Sequence, residues 1–226
     1  MRYLKLLLII KFLSALTISI TGAKANIVSS DYVVKSSGIK IGEFNWIIKI
    51  EEEKYETKIS LKSIGILSQL YSFEGEYLAN GVFKNNRFET RFYKQYWKTK
   101  NKEKIVEIEL NRSLINLFQD PKEEEYSRVN FSEIIDYYDP ITSFINILNG
   151  HNLEKTIDGR RLYVMEKSIL DTEGDFVIFI KEYRNLWADH KRNDLEKIEF
   201  IIKDGVFLPI KINIYFKNRI FKLSKI

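Results

Sequence analysis

The chain has 226 residues, of which 45% are hydrophobic and 30% are charged, with a formal net charge of +5. This balance is typical of a globular protein and argues against intrinsic disorder. There is no cysteine and there are 2 histidines, which excludes disulfide frameworks, thiolate metal sites and cysteine nucleophiles and argues against multi-histidine metal sites. We therefore expect neither a metal nor a cofactor.

Residues 1–25 have the pattern of a secretory signal peptide. Two basic residues precede the apolar stretch 6–20, and Ala23-Lys24-Ala25 supplies the small residues that a signal peptidase accepts. Lys11 interrupts the apolar stretch, which favours a cleaved signal over the alternative, an uncleaved membrane anchor. We predict cleavage before a single mature β-rich domain over residues 26–226, a periplasmic location, and no transmembrane segment after cleavage.

The basic net charge of the chain comes mostly from this leader. Removing its four basic residues from the 36 in the chain leaves 32, against 31 acidic residues, so the net charge of the mature domain falls to +1. A nearly neutral domain gives no electrostatic indication of a nucleic-acid partner, and we expect none.

The first half of the predicted mature domain alternates between apolar and polar residues with a period of two. The alternating segments are 42–50, 55–61, 71–79, 88–96 and 106–110. Because parallel strands would need helical crossovers between them, five consecutive segments of this kind predict an antiparallel meander.

The C-terminal part repeats the pattern. Strands are predicted at 160–167, 176–183, 198–202, 206–216 and 220–225. Hairpin turns are predicted at Asn80-Gly81, Asp158-Gly159, Asp204-Gly205 and Asn218-Arg219. Pro209 cannot donate to a sheet ladder, so it predicts an edge or a bulge in its strand.

One segment has helical spacing instead. Asp139 is a good N-cap, Pro140 suits the first helical position, and Gly150 suits the helix end. Apolar residues follow at the helical spacing Ile141, Phe144, Ile145 and Leu148. The predicted fold is all-β: a curled antiparallel sheet or open β-barrel with one short helix packed against it. Replacing an N-cap typically costs about 1 kcal/mol, and we expect that from Asp139→Ala.

Four stretches occur in a characteristic order along the chain: Tyr32-Val33-Val34 with residues 38–42, the meander through Gly65, Leu70 and residues 87–98, Asp139-Pro140 opening the helix, and residues 158–163 followed later by Leu208-Pro209. In this order they resemble the exported bacterial domain-of-unknown-function family 3108 (DUF3108). The resemblance covers nearly all of the predicted mature domain, and it rests on the order and spacing of the stretches. It implies a periplasmic, mostly antiparallel β protein. The family has no established activity, so no catalytic residue is carried over.

The aromatic residues supply the main candidate binding site. If the meander curls, eight rings would line one concave face: Phe44, Trp46, Tyr71, Phe73, Tyr77, Phe88, Phe92 and Tyr96. If the helix covers only part of that face, an apolar cleft remains, with Trp46, Phe73 and Phe92 on its floor. The alternative is that these rings are simply core.

Two arginines are a second candidate. Arg160 and Arg161 follow the Asp158-Gly159 turn, and adjacent guanidinium groups can bind a phosphate or carboxylate. Because adjacent strand residues point to opposite faces, the alternative is a turn with solvated or ion-paired arginines. His151 and His190 lack a nucleophile-elbow serine around them, and Glu74 and Glu76 are acids expected on a solvated strand face.

These observations predict a non-enzymatic periplasmic protein that binds a hydrophobic or amphipathic component of the cell envelope, either a lipid or an outer-membrane partner. One alternative is a cell-envelope enzyme, which would bring His151 or Arg160 together with acidic residues in a pocket. Another is a small outer-membrane β-barrel, where the same alternation occurs. The central helix and the short cationic last strand argue against that barrel.

Overall fold

The computed structural model describes residues 25–65, 68, 72–111, 114–170, 174–187 and 194–226. The first half of the fold has seven strands: β1 (Asn26–Ser36), β2 (Ile39–Glu51), β3 (Lys54–Ser63), β4 (Phe73–Lys84), β5 (Arg87–Thr99), β6 (Glu103–Asn111) and β7 (Leu114–Asp120). A 3-10 turn (Phe131–Glu133) and helix α1 (Pro140–Leu148) connect it to the second half. That half comprises β8 (Leu153–Ile157), β9 (Arg161–Ile169), β10 (Phe176–Asn185), β11 (Leu195–Ile201), β12 (Lys211–Phe216) and β13 (Arg219–Lys225).

All thirteen strands belong to one antiparallel sheet, in the order β7-β6-β5-β4-β3-β2-β1-β13-β12-β11-β10-β9-β8. Each half of the chain is a meander, and the two meanders join where β1 pairs with β13. The edge strands are therefore β7 and β8, and the sheet is not closed by a ladder between them. The predicted fold class, a curled antiparallel sheet with a short helix packed against it, is confirmed.

The curl of the sheet brings its two ends together at the β8–β9 turn. Gly159 in this turn packs so closely on β6 and β7 that a Cβ atom there would lie 2.4 Å from Val106 Cγ1 and 3.3 Å from Leu117 Cδ1. The Gln119 Nε2 atom donates to the Gly159 carbonyl oxygen at 2.6 Å. Side-chain contacts thus hold the two ends together, and we call this contact the seam.

The apolar core lies on the inner face of the curled sheet. Alternate residues of β2 and β3 are buried there, among them Trp46, Ile48, Tyr55 and Ile59. Helix α1 adds Ile141, Ile145 and Ile147 to the same cluster. None of the helices that the structure describes is long and apolar enough to cross a membrane.

The predicted turn at Asn80-Gly81 is wrong, because these residues lie inside β4. The β4–β5 turn is formed by Asn85 and Asn86, with φ angles of 52° and 60°, values that asparagine tolerates in a two-residue hairpin. Gly81 has another role: a Cβ atom there would lie 1.9 Å from the Glu89 carbonyl oxygen. The glycine marks a close approach at a β-bulge rather than a turn.

The predicted strand 206–216 begins five residues too early. The Asp204-Gly205 turn is present, with Gly205 at φ 74°, but residues 202–210 are irregular and β12 begins at Lys211. Pro209 lies outside the ladder, and its carbonyl oxygen accepts from the Tyr32 hydroxyl at 2.7 Å. The predicted turn at Asp158-Gly159 is confirmed. The turn predicted at Asn218-Arg219 is one residue late, because Lys217 and Asn218 form it and Arg219 begins β13. Residues 1–24 of the predicted signal peptide, Tyr71 and His190 lie outside the described residues.

Candidate functional site

Helix α1 is fixed inside the sheet by its N-cap, Asp139. The Asp139 carboxylate accepts from the backbone N–H groups of Ile141 and Thr142, at 2.9 and 3.1 Å. It also accepts from the hydroxyl of Thr142 and, at 2.6 Å, from that of Thr90 on β5. Asp139 is fully buried, and burial raises its pKa while the two hydroxyls oppose that rise. The predicted cap is confirmed, and it also ties the helix to the sheet.

The side chain of Asn146, in helix α1, pairs with the part of β5 that β6 does not reach. The ladder between β5 and β6 runs only from Phe92 to Lys98, so the start of β5 has no β6 partner. There the Asn146 side chain accepts from the Phe88 N–H group at 2.8 Å and donates to the Phe88 carbonyl oxygen at 3.0 Å. The helix therefore satisfies backbone groups that β6 leaves open.

A cluster of polar side chains lies beside this contact, and we call Arg87, Tyr138, His151 and Glu154 the Arg87 cluster. Arg87 donates to both Glu154 carboxylate oxygens at 2.7 and 2.8 Å and to the Tyr138 hydroxyl at 3.0 Å. Its third nitrogen lies 3.2 Å from His151 Nδ1. The Glu154 side chain is fully buried. Because burial outweighs the attraction of Arg87, the pKa of Glu154 is raised from its ordinary 4.5 to about 7.

The raised pKa of Glu154 gives a pH dependence with a definite sign. A carboxyl whose pKa is higher in the folded state stabilises the fold below its unfolded pKa, and that contribution is lost as pH rises through the folded value. We expect the unfolding free energy of the wild type to fall between pH 5 and 8 relative to that of Glu154→Gln, by at most about 1.4 kcal/mol per pH unit. Urea unfolding of both proteins across this range checks it, and a constant difference would contradict it.

The Arg87 cluster is the one place in the described part of the chain where a predicted candidate histidine meets an acid. His151 Nδ1 lies 3.9 Å from Glu154, which is the convergence that the enzyme alternative required. However, all three guanidinium nitrogens of Arg87 are bonded within the cluster, and His151 Nε2 lies 3.2 Å from the Asn86 carbonyl oxygen. The arrangement holds the β4–β5 turn against β8 and leaves little free hydrogen-bonding capacity for a substrate.

A groove of about 410 Å³ opens where β5 separates from the β6–β7 hairpin. We call it the rim groove. It is lined by residues 89–91 of β5, by Leu110, Asn111, Leu114 and Ile115 of the hairpin, and by Ile134 and residues 136–138 before α1. It therefore has an apolar side and a polar side. Tyr138 belongs to both the rim groove and the Arg87 cluster.

The structure does not bring the three predicted cleft residues onto one face. Trp46 is 2% exposed, donates from Nε1 to the Thr57 hydroxyl at 3.0 Å and belongs to the core. Phe73 has the same inward orientation at the start of β4 but is only partly buried. The expectation that Phe92 joins them is wrong: a β-bulge opposite Asn80 and Gly81 reverses the alternation, and the neighbouring Tyr93 is buried instead.

The two arginines of the predicted anion contact face different carboxylates. Arg160 Nε lies 3.2 Å from Glu123, which also accepts from Lys104 at 2.6 Å. Arg161 lies 3.9 Å from Asp158 and 3.7 Å from Asp194. The structure thus places both arginines in ion pairs near the seam, and anion binding by them stays a prediction.

The comparisons with known proteins identify the family. The family described as "Protein of unknown function (DUF3108)" matches residues 31–163. The chain belongs to the DUF3108 family. A solved structure, described as a beta-barrel-like protein of the domain of unknown function DUF1849 from Brucella abortus, is similar at 10% identity. The superposition covers 88% of the present chain and 95% of the Brucella abortus chain, with a TM-score of 0.46. No curated protein matches the chain.

Sequence reasoning missed most of the residues at these sites in the DUF3108 chain. Glu154 lies on β8, a strand of five residues that is too short to show a clear alternation, and nothing marks it as buried. Arg87 directly follows the Asn85-Asn86 turn, so correct placement of that turn would have put it at a strand start. Among the described residues no three His, Asp or Glu side chains are placed to hold a metal ion.

Proposed function

We propose that this DUF3108 protein is an exported periplasmic binding protein that holds an amphipathic component of the cell envelope in the rim groove. The observation that carries the proposal is the two-sided lining of that groove. Its volume of about 410 Å³ lies within the usual range for small-molecule sites, roughly 300–1,000 Å³. The proposed role is binding rather than catalysis.

The apolar side of the groove suits a hydrocarbon chain. Ile115 and Ile134 are buried beneath it, while Leu114 is 56% exposed. A ligand that covered Leu114 would remove apolar surface from water, which is worth about 25 cal/mol per Å². Leu114 and the two isoleucines line the same groove, and an apolar wall in a concave site is where a hydrocarbon chain binds.

The polar side of the groove suits a head group. Tyr137 and Tyr138 line it, and Arg91 and Glu89 contribute opposite charges 4.0 Å apart. A small number of polar groups placed beside an apolar wall fixes the orientation of a bound molecule. The lining therefore favours an amphipathic ligand over a purely apolar one.

Export is supported by the sequence of the leader. Its basic start, apolar stretch and small-residue end match a signal peptide. Strand β1 begins at Asn26, the residue after the predicted cleavage point, so cleavage would leave every described strand intact. A periplasmic location would place the groove among lipids and other amphipathic envelope molecules.

A substitution in the groove tests the proposal. We expect Leu114→Glu to weaken binding of lysophosphatidylcholine, measured by isothermal titration calorimetry, by about tenfold or more, because a charge replaces an apolar contact. Phe118→Glu is the matched control. It lies on the same strand, is 50% exposed and does not line the groove, so it should bind like the wild type.

Two outcomes would count against the groove. If Leu114→Glu and Phe118→Glu bind as tightly as the wild type, the ligand lies elsewhere. If the wild type binds no lysophosphatidylcholine, and mass spectrometry under native conditions finds no amphipathic molecule carried by protein purified from the periplasm, the binding proposal fails as a whole.

A further inference from the structure

Opposite charges face each other across neighbouring strands over much of the outer face of the sheet. The register places Glu43 opposite Lys62, Lys62 opposite Glu74, Glu74 opposite Lys98, and Lys98 opposite Glu103. Cross-strand pairs of this kind stabilise a sheet by roughly 0.2–1 kcal/mol each. The row runs without interruption from β2 to β6.

The pattern reverses at β1, where like charges meet. Lys35 lies opposite Lys40 of β2 on one side and opposite Lys222 of β13 on the other. All three are exposed, and like charges directly opposite each other destabilise a sheet. Lys211 of β12 is also exposed, and it pairs with Ser224, two residues beyond Lys222. We call Lys35, Lys40, Lys211 and Lys222 the lysine patch.

Among the residues that the structure describes, few acidic groups neutralise the lysine patch. Glu43 lies 3.3 Å from Lys40, but it also lies 3.4 Å from Lys62. Glu199 on β11 bonds to Lys197 at 2.7 Å and accepts from the Tyr215 hydroxyl at 2.9 Å. The patch therefore keeps a net positive charge on adjacent strands of a domain that is almost neutral.

Exposed apolar side chains border the lysine patch. Ile39 precedes Lys40 and is 58% exposed, and Ile220, on the same strand as Lys222, is 39% exposed. Lysines beside exposed aliphatic side chains are typical of surfaces that lie on a lipid bilayer, where the charges meet anionic head groups and the apolar groups enter the interface. Ile39 and Ile220 distinguish this surface from a purely ionic one.

We propose that the lysine patch docks the protein on an anionic lipid surface. This surface is separate from the rim groove: because neighbouring strands are antiparallel, the β1–β2 turn and the β6–β7 turn lie at opposite ends of the strands. A docked molecule would therefore hold its groove at the end remote from the β1–β2 turn. Each lysine at such a surface contributes about 1 kcal/mol, roughly a fivefold change in partitioning.

Sedimentation with lipid vesicles tests the docking surface. The wild type should sediment with vesicles made of equal parts phosphatidylcholine and phosphatidylglycerol, and stay in solution with pure phosphatidylcholine. High salt should release it, because salt screens exposed charges. Equal binding to both vesicle types, or no binding to either, would overturn the proposal. In the second case an acidic protein becomes the occupant to test.

The decisive variant is Lys35→Glu, because stability and binding should change in opposite directions. A glutamate between Lys40 and Lys222 replaces two repulsive pairs with attractive ones, so the urea midpoint should hold or rise. Vesicle binding should fall by about tenfold or more. If the patch were only structural, the substitution would leave vesicle binding unchanged, and that result would overturn the proposal.

Two control variants locate the effect. Lys100→Glu makes the same change in net charge on an exposed turn and should leave vesicle binding close to that of the wild type. A loss as large as that of Lys35→Glu would show that only net charge matters, and would reject the patch. Leu114→Glu should sediment like the wild type, so docking and groove binding can fail independently.

Discussion

Replacing Asp139 with alanine is expected to lower the free energy of unfolding by about 3 kcal/mol, well above the 1 kcal/mol typical of an exposed N-cap. The carboxylate accepts from two backbone N–H groups and from the hydroxyls of Thr90 and Thr142, all in the protein interior. Alanine would leave these donors buried without partners, which costs more than the bonds themselves contribute. A urea unfolding curve measures the loss.

Two further variants separate capping from burial. Asp139→Asn keeps an acceptor for the helix N–H groups and should lose about half as much stability. Asn130→Ala removes the exposed cap of the 3-10 turn, where the side chain accepts from the Ser132 N–H group at 3.1 Å. That change should cost less than about 1 kcal/mol. If Asp139→Ala costs no more than Asn130→Ala, the bond to Thr90 contributes nothing.

Replacing Gly159 with alanine is expected to destabilise the protein by about 3 kcal/mol, because two effects combine. The residue has a φ of 83°, a conformation that costs an L-residue roughly 1–2 kcal/mol, and the new Cβ atom would lie 2.4 Å from Val106 Cγ1. Overpacking of this kind typically costs about 1–3 kcal/mol. The midpoint of thermal unfolding measures the change.

Gly205→Ala is the matched control for backbone strain. Gly205 has a φ of 74° and no atom within 4 Å of an added Cβ, so alanine there should cost only about 1–2 kcal/mol. The double variant Gly159→Ala with Val106→Ala should be more stable than the sum of the single losses predicts, since the second change removes the clash. Equal losses of stability at the two glycines would mean that the seam adjusts to the added methyl group and that the clash with Val106 costs nothing.

The sequence predicts the features that depend on residues close together in the chain. Alternation gives most strands of both meanders, and Asp139 before Pro140 gives the start of α1, because a cap acts within three residues. The β-bulge in β5 carries no local signal of its own. It depends on the approach of Gly81 to the Glu89 carbonyl oxygen, and it moves Phe92 away from Trp46.

The sites depend on contacts between distant parts of the chain. Arg87 and Glu154 meet across 67 positions, and no local pattern distinguishes a buried glutamate from a solvated one on a short strand. The rim groove lies where β5 extends beyond its ladder with β6. The lysine patch depends on the pairing of β1 with β13, which alternation alone does not reveal.

The position of β1 between β2 and β13 has a consequence for how the chain folds. Strand β1 can pair with β2 as soon as both exist, but its other edge remains open until the last strand has been made. In cyclic order, from β8 through β13 to β1 and on to β7, the strands follow their order in the sheet. A circularly permuted chain that starts between β7 and β8 would therefore build every ladder from adjacent strands. Distant parts of the chain would then be joined by the side-chain contacts of the seam, of α1 and of the Arg87 cluster.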